Sequence, residues 1–194
     1  MNYINNLQNK SNKIKHDKKY RKAILISIYN WIKNNIDEIE KSLFLDLHKP
    51  KTESYLSEIQ IVLKEIRIQL SLLNYAFKKH RVNPFSIAQP LNWKINSKYY
   101  KYEPKGIVFI IGPFNYPFHL VLMPLIGAVA AGNKALIKVS EKTKNTAEII
   151  EKMIKETLLK DVCISIEHDC DIATINEQIE SKPDLIFFLQ EVNL

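Results

Sequence analysis

Residues 106–139 read GIVFIIGPFNYPFHLVLMPLIGAVAAGNKALIKV, and this stretch decides the fold. Its first six residues, 106–111, are a wholly apolar run of the kind found in strands that are buried on both faces. The turn GPFNYP follows, with two prolines, and residues 118–131 then predict an almost wholly apolar helix that closes at Gly132 and Asn133. A second apolar run, ALIKV, ends the stretch. The sequence therefore predicts a strand, a helix and a second strand in succession.

The same alternation continues toward the carboxyl terminus. Asn145 and Glu148 have the spacing of a capping box, which predicts a helix over residues 145–159. Alternating strands and helices are typical of a doubly wound parallel sheet, so we expect an α/β fold with a Rossmann-like sheet. The remaining predicted elements are a strand at 162–166, a weaker helix at 172–179 and a strand at 185–188.

The first half of the chain predicts helices. Apolar residues recur at steps of three and four over 24–43 and again over 56–77. The second stripe favours packing within the chain over a coiled coil. We expect four regions, which are a disordered N-terminus at 1–18, a helical region at 19–82, extended strands at 83–103 that are rich in aromatic and β-branched residues, and a sheet domain at 104–194.

Composition excludes several classes of protein. The chain has 194 residues, of which 46% are hydrophobic and 25% charged, as in a folded globular protein. The net charge of +7 reflects a general excess of lysine, and the one basic cluster, at 10–22, has no nucleic-acid-binding motif beside it, so we expect no nucleic-acid partner. The most apolar run, 116–131, is too short to span a bilayer, and no signal peptide is visible. Two cysteines predict a reducing, cytoplasmic location.

The turn after the first strand is the first candidate site. The chain has four glycines, and none has the spacing of the dinucleotide-binding fingerprint. Asn115 instead stands between two prolines at the carboxyl end of the strand, where open α/β sheets bind ligands. A rigid carboxamide there suits donation to an oxygen that gains negative charge. The plain alternative is that Asn115 only caps a turn.

A second candidate site follows the second strand. Lys138 and Glu141 lie just past it, at the same edge of the sheet as Asn115. A lysine and a glutamate so placed could hydrogen-bond the hydroxyl groups of a ribose, the lysine donating and the glutamate accepting. They could equally form an exposed ion pair of little energetic weight.

Together these segments resemble the aldehyde dehydrogenase superfamily, and within it the class 3 branch that acts on fatty and aromatic aldehydes. The resemblance covers residues 22–188. It rests on the order and spacing of four blocks, which are 102–106, 111–118, 127–133 and 138–141.

The resemblance implies a role for each matching residue. Asn115 would stabilise the oxyanion of an aldehyde adduct. Lys138, Ser140 and Glu141 would hold the adenosine ribose of NAD or NADP, and the strands at 83–103 would bridge subunits of a homo-oligomer. The loop along the nicotinamide side of the cofactor would be formed by Ile111, Gly112, Pro113 and Phe114.

The sequence departs from the family pattern at three places. Val139 replaces a proline, and His168 and Asp169 replace glycine. After Phe188 the family continues Thr-Gly-Ser, whereas this chain reads LQEVNL to Leu194. For one choice of codons at residues 189–194, a shift of reading frame before Leu189 would restore the motif, and we hypothesise such a shift. The family's catalytic cysteine and general-base glutamate lie beyond this point, so we expect a truncated chain that is inactive alone.

Two further expectations follow from these departures. Cys163 and Cys170 lack the context of the family's nucleophile, and with His168 they offer too few ligands for a metal, so we expect ordinary thiols and no metal site. The alternative to an enzyme is a non-catalytic interaction module or half-protein that associates with a homologue or a C-terminal fragment.

Overall fold

A computed structural model describes residues 3–82 and 98–189. The chain begins with helices α1 (Tyr3–Asn9), α2 (Lys13–His16), α3 (Lys18–Asn34) and α4 (Ile36–Leu47). A continuous helical segment then comprises α5 (Lys51–Ser54), a π-helical turn (Tyr55–Ile59) and α6 (Gln60–Ala76). Short strands β1 (His80–Arg81) and β2 (Tyr99–Tyr100) pair antiparallel.

The carboxyl-terminal half alternates strands and helices as the sequence predicts. Its four strands are all parallel and stand in the order β5-β4-β3-β6. The α/β fold with a parallel sheet is therefore confirmed. Its elements are β3 (Ile107–Ile111), α7 (Pro117–Ala131), β4 (Lys134–Lys138), α8 (Lys144–Glu156), a 3-10 turn (Leu158–Asp161), β5 (Cys163–Ile166), α9 (Ile172–Glu180) and β6 (Leu185–Phe188).

Helices cover both faces of the sheet. On one face, Val108 and Ile137 belong to a large apolar core that includes α7, α8 and, outside them, α3, α4 and α6. On the other face, Phe109 and Leu136 belong to a smaller core with residues of α1, and Ile175 of α9 packs against it. Burial on both faces explains why the strands are continuously apolar rather than alternating.

The expectation of a disordered N-terminus is wrong for residues 3–16, because α1 is docked on the sheet. Ile4 and Leu7 are fully buried in the smaller core. The side-chain oxygen of Gln178 accepts hydrogen bonds from the backbone amides of Tyr3 and Ile4, at 3.1 and 3.3 Å. A local reading of polar composition misses a helix whose stability comes from contacts distant in sequence.

The expected capping box at Asn145 and Glu148 is also wrong. Helix α8 begins one residue earlier, at Lys144, and Asp46 of α4 satisfies its first amides. The Asp46 carboxylate accepts from the amides of Asn145 and Thr146 at 3.1 and 2.7 Å. The helix therefore receives its N-terminal carboxylate from a residue about 100 positions earlier.

Other differences are smaller. The first helical stripe is divided at Asn35 into α3 and α4, and Leu56, which the second stripe would bury, is exposed. Most of the strands expected at 83–103, and the end of the chain from Gln190, lie outside the described residues. The domain boundaries stay predictions. Among the described helices, none has the length and apolar character needed to cross a membrane.

Candidate functional site

The topology places a cleft at the carboxyl ends of β3, β4 and β6. From β3 the chain builds outward to β4 and β5 on one side and later returns to add β6 on the other. Ligands of open α/β sheets bind at such a switch point. A cavity of about 440 Å³ lies here, lined by Ile111, Gly112, Pro113, Phe114, Lys138, Val139, Ser140, Glu141, Lys142, Ile175, Phe188 and Leu189. All seven residues expected to bind the cofactor line this cavity.

Lys138 is the buried cation of the cleft. Its residue is only 3% exposed, and its Nζ donates to the backbone oxygens of Val139 and His168 at 2.8 and 3.0 Å. The same Nζ lies 3.5 Å from Oε2 of Glu141. Two backbone carbonyls and one carboxylate thus hold the ammonium group in place at the end of β4.

Glu141 is the exposed partner in this pair. Its side chain is 65% exposed, against 4% for that of Lys138. The pKa of Glu141 is lowered chiefly by a hydrogen bond with its own backbone; burial opposes this effect, and Lys138 and Lys142 lower the pKa further through their charges. The carboxylate is therefore ionised at neutral pH and can accept hydrogen bonds from a ligand.

Gly112 lets the chain leave β3 close to α7. Its amide donates to the backbone oxygen of Lys138 at 3.0 Å, which extends the pairing of β3 with β4 by one residue. A Cβ atom at this position would stand 2.2 Å from Cγ2 of Val121 in α7. Because no side chain fits there, the loop backbone that follows lies directly against the cavity.

Asn115 lies on the loop between this cavity and α7. Its Oδ1 accepts from the amide of Tyr116 at 3.0 Å, as in a turn cap, while no hydrogen bond joins its Nδ2 to a described residue. Pro113 and Phe114 line the cavity, whereas Asn115 does not line it within the described part of the chain. The carboxamide is therefore partly exposed on this loop, its Oδ1 makes the contact of a turn cap, and its role as a donor to an oxyanion stays a prediction.

Sequence reasoning missed two buried charged residues behind this loop, Lys49 and Glu58. Lys49 Nζ lies 2.5 Å from Glu58 Oε1 and 2.8 Å from the backbone oxygen of Asn115. The other Glu58 oxygen accepts from the amides of Phe118 and His119. Neither residue belongs to a motif, and the only available signal was a lysine inside the break that separates α4 from α5.

Burial disfavours the thiolate form of both cysteines. Cys163 is 2% exposed, and burial raises the pKa of its thiol to about 12. The pKa of the Cys170 thiol is also raised, chiefly by burial, and the neighbouring Asp171 and Asp169 act in the same direction. Within residues 3–82 and 98–189, no group of three His, Cys, Asp or Glu residues is arranged to hold a metal ion.

Comparison with known proteins gives the cleft its context. The model of the aldehyde dehydrogenase family matches residues 8–185. This chain belongs to the aldehyde dehydrogenase family. It is 45% identical, over 73% of its length and 30% of the relative's, to 4,4'-diaponeurosporen-aldehyde dehydrogenase of Staphylococcus aureus. It is 37% identical to aldehyde dehydrogenase family 3 member F1 of Arabidopsis thaliana, over 88% of this chain and 34% of the relative. The resemblance to class 3 members is confirmed.

Solved aldehyde dehydrogenase structures share the fold. The substrate-bound state of Staphylococcus aureus AldH superposes with a TM-score of 0.81 at 39% identity, over 96% of this chain and 38% of the other. The NADP complex of glyceraldehyde-3-phosphate dehydrogenase GapN from Methanocaldococcus jannaschii has a TM-score of 0.62 at 23% identity, over 85% of this chain and 34% of the other, and shows the fold alone. The chain spans about a third of the length of the aldehyde dehydrogenases it matches.

Proposed function

We propose that the cleft at the carboxyl edge of the sheet binds NAD(P)+ and that the chain supplies this part of an aldehyde dehydrogenase, which oxidises aldehydes to carboxylates. The observation that carries the proposal is the buried Lys138 ammonium group beside the exposed Glu141 carboxylate in one cavity wall. A donor and an acceptor 3.5 Å apart suit the two hydroxyl groups of a ribose. Ser140 adds a hydroxyl to the same wall.

The rest of the cavity suits the remainder of a dinucleotide. The loop at Gly112 and Pro113 forms one wall without a charged side chain, so no cation on this wall would oppose the positive charge of the oxidised nicotinamide ring. Phe114 and Lys142 both line the cavity, and Nζ of Lys142 lies 4.5 Å from the centre of the Phe114 ring. When bound, NAD(P)+ would accept the hydride that the aldehyde carbon loses.

Asn115 would act on the aldehyde rather than on the cofactor. Its Nδ2 is the group proposed to donate to the substrate oxygen as negative charge develops there. The Oδ1 of Asn115 accepts from the amide of Tyr116, so the loop backbone sets the direction of the NH2 group. The side chain is partly exposed and can therefore meet a ligand. The same loop carries Pro113 and Phe114 into the cofactor cavity, so cofactor and substrate would meet at adjacent positions.

We also propose that the 194-residue chain does not oxidise aldehydes by itself. The family reaction needs a thiolate, and burial disfavours ionisation of both Cys163 and Cys170. Hexanal or benzaldehyde with NAD(P)+ should therefore give no reduced cofactor with the purified chain. The two free cysteines are compatible with the reducing cytoplasm that we propose as its location.

The experiment that tests the proposal is a cofactor titration with matched variants. NAD+ is titrated into the chain and binding is followed by calorimetry and by saturation-transfer NMR, with adenosine as a competitor for the ribose subsite. We expect Lys138→Met to weaken binding by about 10- to 100-fold, since one charge-assisted hydrogen bond contributes about 1.5–3 kcal/mol. Lys144→Met is the control, because Lys144 pairs with Glu148 on the exposed side of α8.

Three results would each refute part of the proposal. Equal binding by wild type and Lys138→Met would refute the assignment of the ribose to this wall. Failure of adenosine to compete would do the same. Absence of NAD+ and NADP+ binding by both methods would refute the cofactor proposal itself.

A second function, association with another chain, is favoured by β6. This strand closes the described sheet on one side, and its four residues, Leu185–Phe188, are 39–57% exposed. Exposed apolar strands at a sheet edge pair readily with other chains. A C-terminal half of the same family, or a second copy of this chain, would cover it. Two measurements test this proposal: co-purification with such a half, and restored aldehyde oxidation on mixing. A monodisperse monomer that binds neither partner contradicts it.

A further inference from the structure

The first βα helix of the sheet already holds an anion at its N-terminus. Oε2 of Glu58 accepts from the amides of Phe118 and His119, at 2.9 and 3.2 Å, in the first turn of α7. Free amides and the helix dipole make such a terminus attractive to a phosphate. Because the Glu58 carboxylate is completely buried, this terminus is closed to a cofactor phosphate.

The π-helical turn explains how a carboxylate comes to face inward here. Glu58 and Ile59 are adjacent in sequence, and both are completely buried at the end of the turn Tyr55–Ile59. A π-turn inserts one extra residue and rotates the helix that follows, and such insertions are frequent at functional positions. The irregular turn thus adds a charged residue to a face that Leu63 and Ile66 continue as an apolar stripe.

Lys49 joins this carboxylate to the loop. Its Nζ contacts Oε1 of Glu58 at 2.5 Å and donates to the backbone oxygen of Asn115 at 2.8 Å. The same ammonium lies 3.8 Å from the centre of the Tyr116 ring. One side chain therefore fixes the carbonyl and the aromatic ring on either side of the peptide bond between Asn115 and Tyr116.

We propose that Lys49 and Glu58 are positioning residues that set the orientation of the Asn115 carboxamide. Glu58 fixes the start of α7, Lys49 fixes the peptide after Asn115, and the ion pair joins the two. The backbone is thereby anchored at the Asn115 carbonyl and at the Phe118 amide, three residues apart, and the carboxamide belongs to the first of these residues. The value of this orientation for aldehyde oxidation rests on the proposed function. The contacts of Lys49 and Glu58 with residues 115–119 are a property of this chain in either case.

A purely structural role would have a different signature. A buried ion pair contributes to global stability or weakens it, and its loss then affects every element that unfolds cooperatively. A positioning role predicts a local effect at residues 115–119 that exceeds any global effect. Hydrogen exchange separates the two, because it measures the opening of each amide individually.

The test compares Glu58→Gln, Lys49→Met and Lys49→Arg in the full chain. We expect the amides of Phe118 and His119 to exchange about tenfold faster in Glu58→Gln, since each loses a charge-assisted acceptor. Lys49→Met should shift the NMR signals of the Asn115 side-chain NH2, and Lys49→Arg should restore them because it keeps the donor and the charge. The control is Lys152→Met, which removes the exposed ion pair with Glu38 at 2.6 Å.

Urea unfolding of each variant supplies the global reference. Faster exchange spread evenly over α7 and β3, in proportion to the lost stability, would overturn the proposal. An unchanged Asn115 signal in Lys49→Met would overturn it as well. Should Glu58→Gln fail to fold, the Asn115 side-chain signals of Lys49→Met and Lys49→Arg still test the proposal. NAD+ binding, measured in parallel, should not change in these variants, and its absence in the wild type would count against the proposed function alone.

Discussion

Lys134 and Lys138 stand at the two ends of β4 and differ in what surrounds them. Both residues are 3% exposed, and both donate to backbone carbonyls. Lys134 Nζ donates to Leu7, Gln8 and Lys10, the last carbonyls of α1 and its exit. Lys138 donates to two carbonyls and, in addition, lies 3.5 Å from the exposed carboxylate of Glu141 in the wall of the cavity.

The two edges of the sheet differ as well. At the amino edge, Asn133 and Asp184 accept from the amides of Gly106 and Ile107, at 2.9 and 2.7 Å, so side chains of the chain itself satisfy the strand ends. A cavity of about 230 Å³ remains beside Lys134 and Asp184 at this edge, whereas the cleft of about 440 Å³ beside Glu141 lies at the carboxyl edge. A buried lysine is therefore not a functional signal in itself. The signal is an exposed polar partner next to it.

The largest contrast between the edges is expected in thiol reactivity. Cys163 begins β5 at the amino edge and is fully buried with a pKa of about 12, whereas Cys170 lies beyond the carboxyl edge and is partly exposed. A buried thiol reacts only through unfolding, so labelling of Cys163 by a disulfide reagent should be slower by a factor of at least about 10³. The Cys170→Ser variant should show only the slow phase, which belongs to Cys163. Rapid labelling of that variant would contradict the burial of Cys163.

The next effect is a loss of stability at the amino edge. Lys134→Met should lower the free energy of unfolding by about 2–3 kcal/mol, because it removes a charged donor shared by three buried or half-buried carbonyls. The measurement is urea unfolding, with Lys144→Met as the exposed control, expected within about 0.5 kcal/mol of wild type. NAD+ affinity of the folded fraction should stay unchanged. A loss of affinity without a loss of stability would reverse the assignment of the two lysines.

Local sequence signals predicted the sheet and brought together the residues that line the cleft. The segment from β3 to β4 is fixed by neighbouring residues, since apolar runs form the strands and Gly132, with a φ of 92°, ends α7 in the left-handed region that favours glycine. Lys138 and Glu141 are three residues apart, so their proximity could be expected from spacing. Contacts within a few residues leave a pattern that sequence analysis can recognise.

Contacts between distant residues left no such pattern. Helix α1 depends on Gln178 and Lys134, α8 receives its cap from Asp46, and Glu58 reaches the start of α7 across 60 residues. In each case one isolated polar side chain satisfies several backbone groups of a remote helix. A single sequence does not distinguish such a residue from the many that face solvent.

A smaller effect should distinguish the two forms of the cofactor at the carboxyl edge. The ionised Glu141 would repel the extra phosphate on the ribose of NADP+. Glu141→Gln should therefore raise the affinity for NADP+ relative to NAD+ by about fivefold, which corresponds to ~1 kcal/mol for two charges in contact with water. Calorimetric titration of both cofactors measures the ratio. Glu148→Gln is the control on α8, and an unchanged ratio in Glu141→Gln would remove the ribose from this carboxylate.

The smallest effect is the change in the free energy of unfolding with pH that His119 causes from the first turn of α7. Burial lowers the pKa of His119, with Glu58 raising it and Lys49 lowering it to lesser extents. The unfolded chain, with a histidine pKa of about 6.5, then takes up this proton before the folded chain does. The free energy of unfolding should accordingly fall as the pH drops below about 6.5. His119→Gln should make this fall shallower in urea unfolding between pH 7 and 5. An identical slope in the wild type and in His119→Gln would show that the first turn of α7 accommodates a protonated His119 beside Glu58 without a loss of stability.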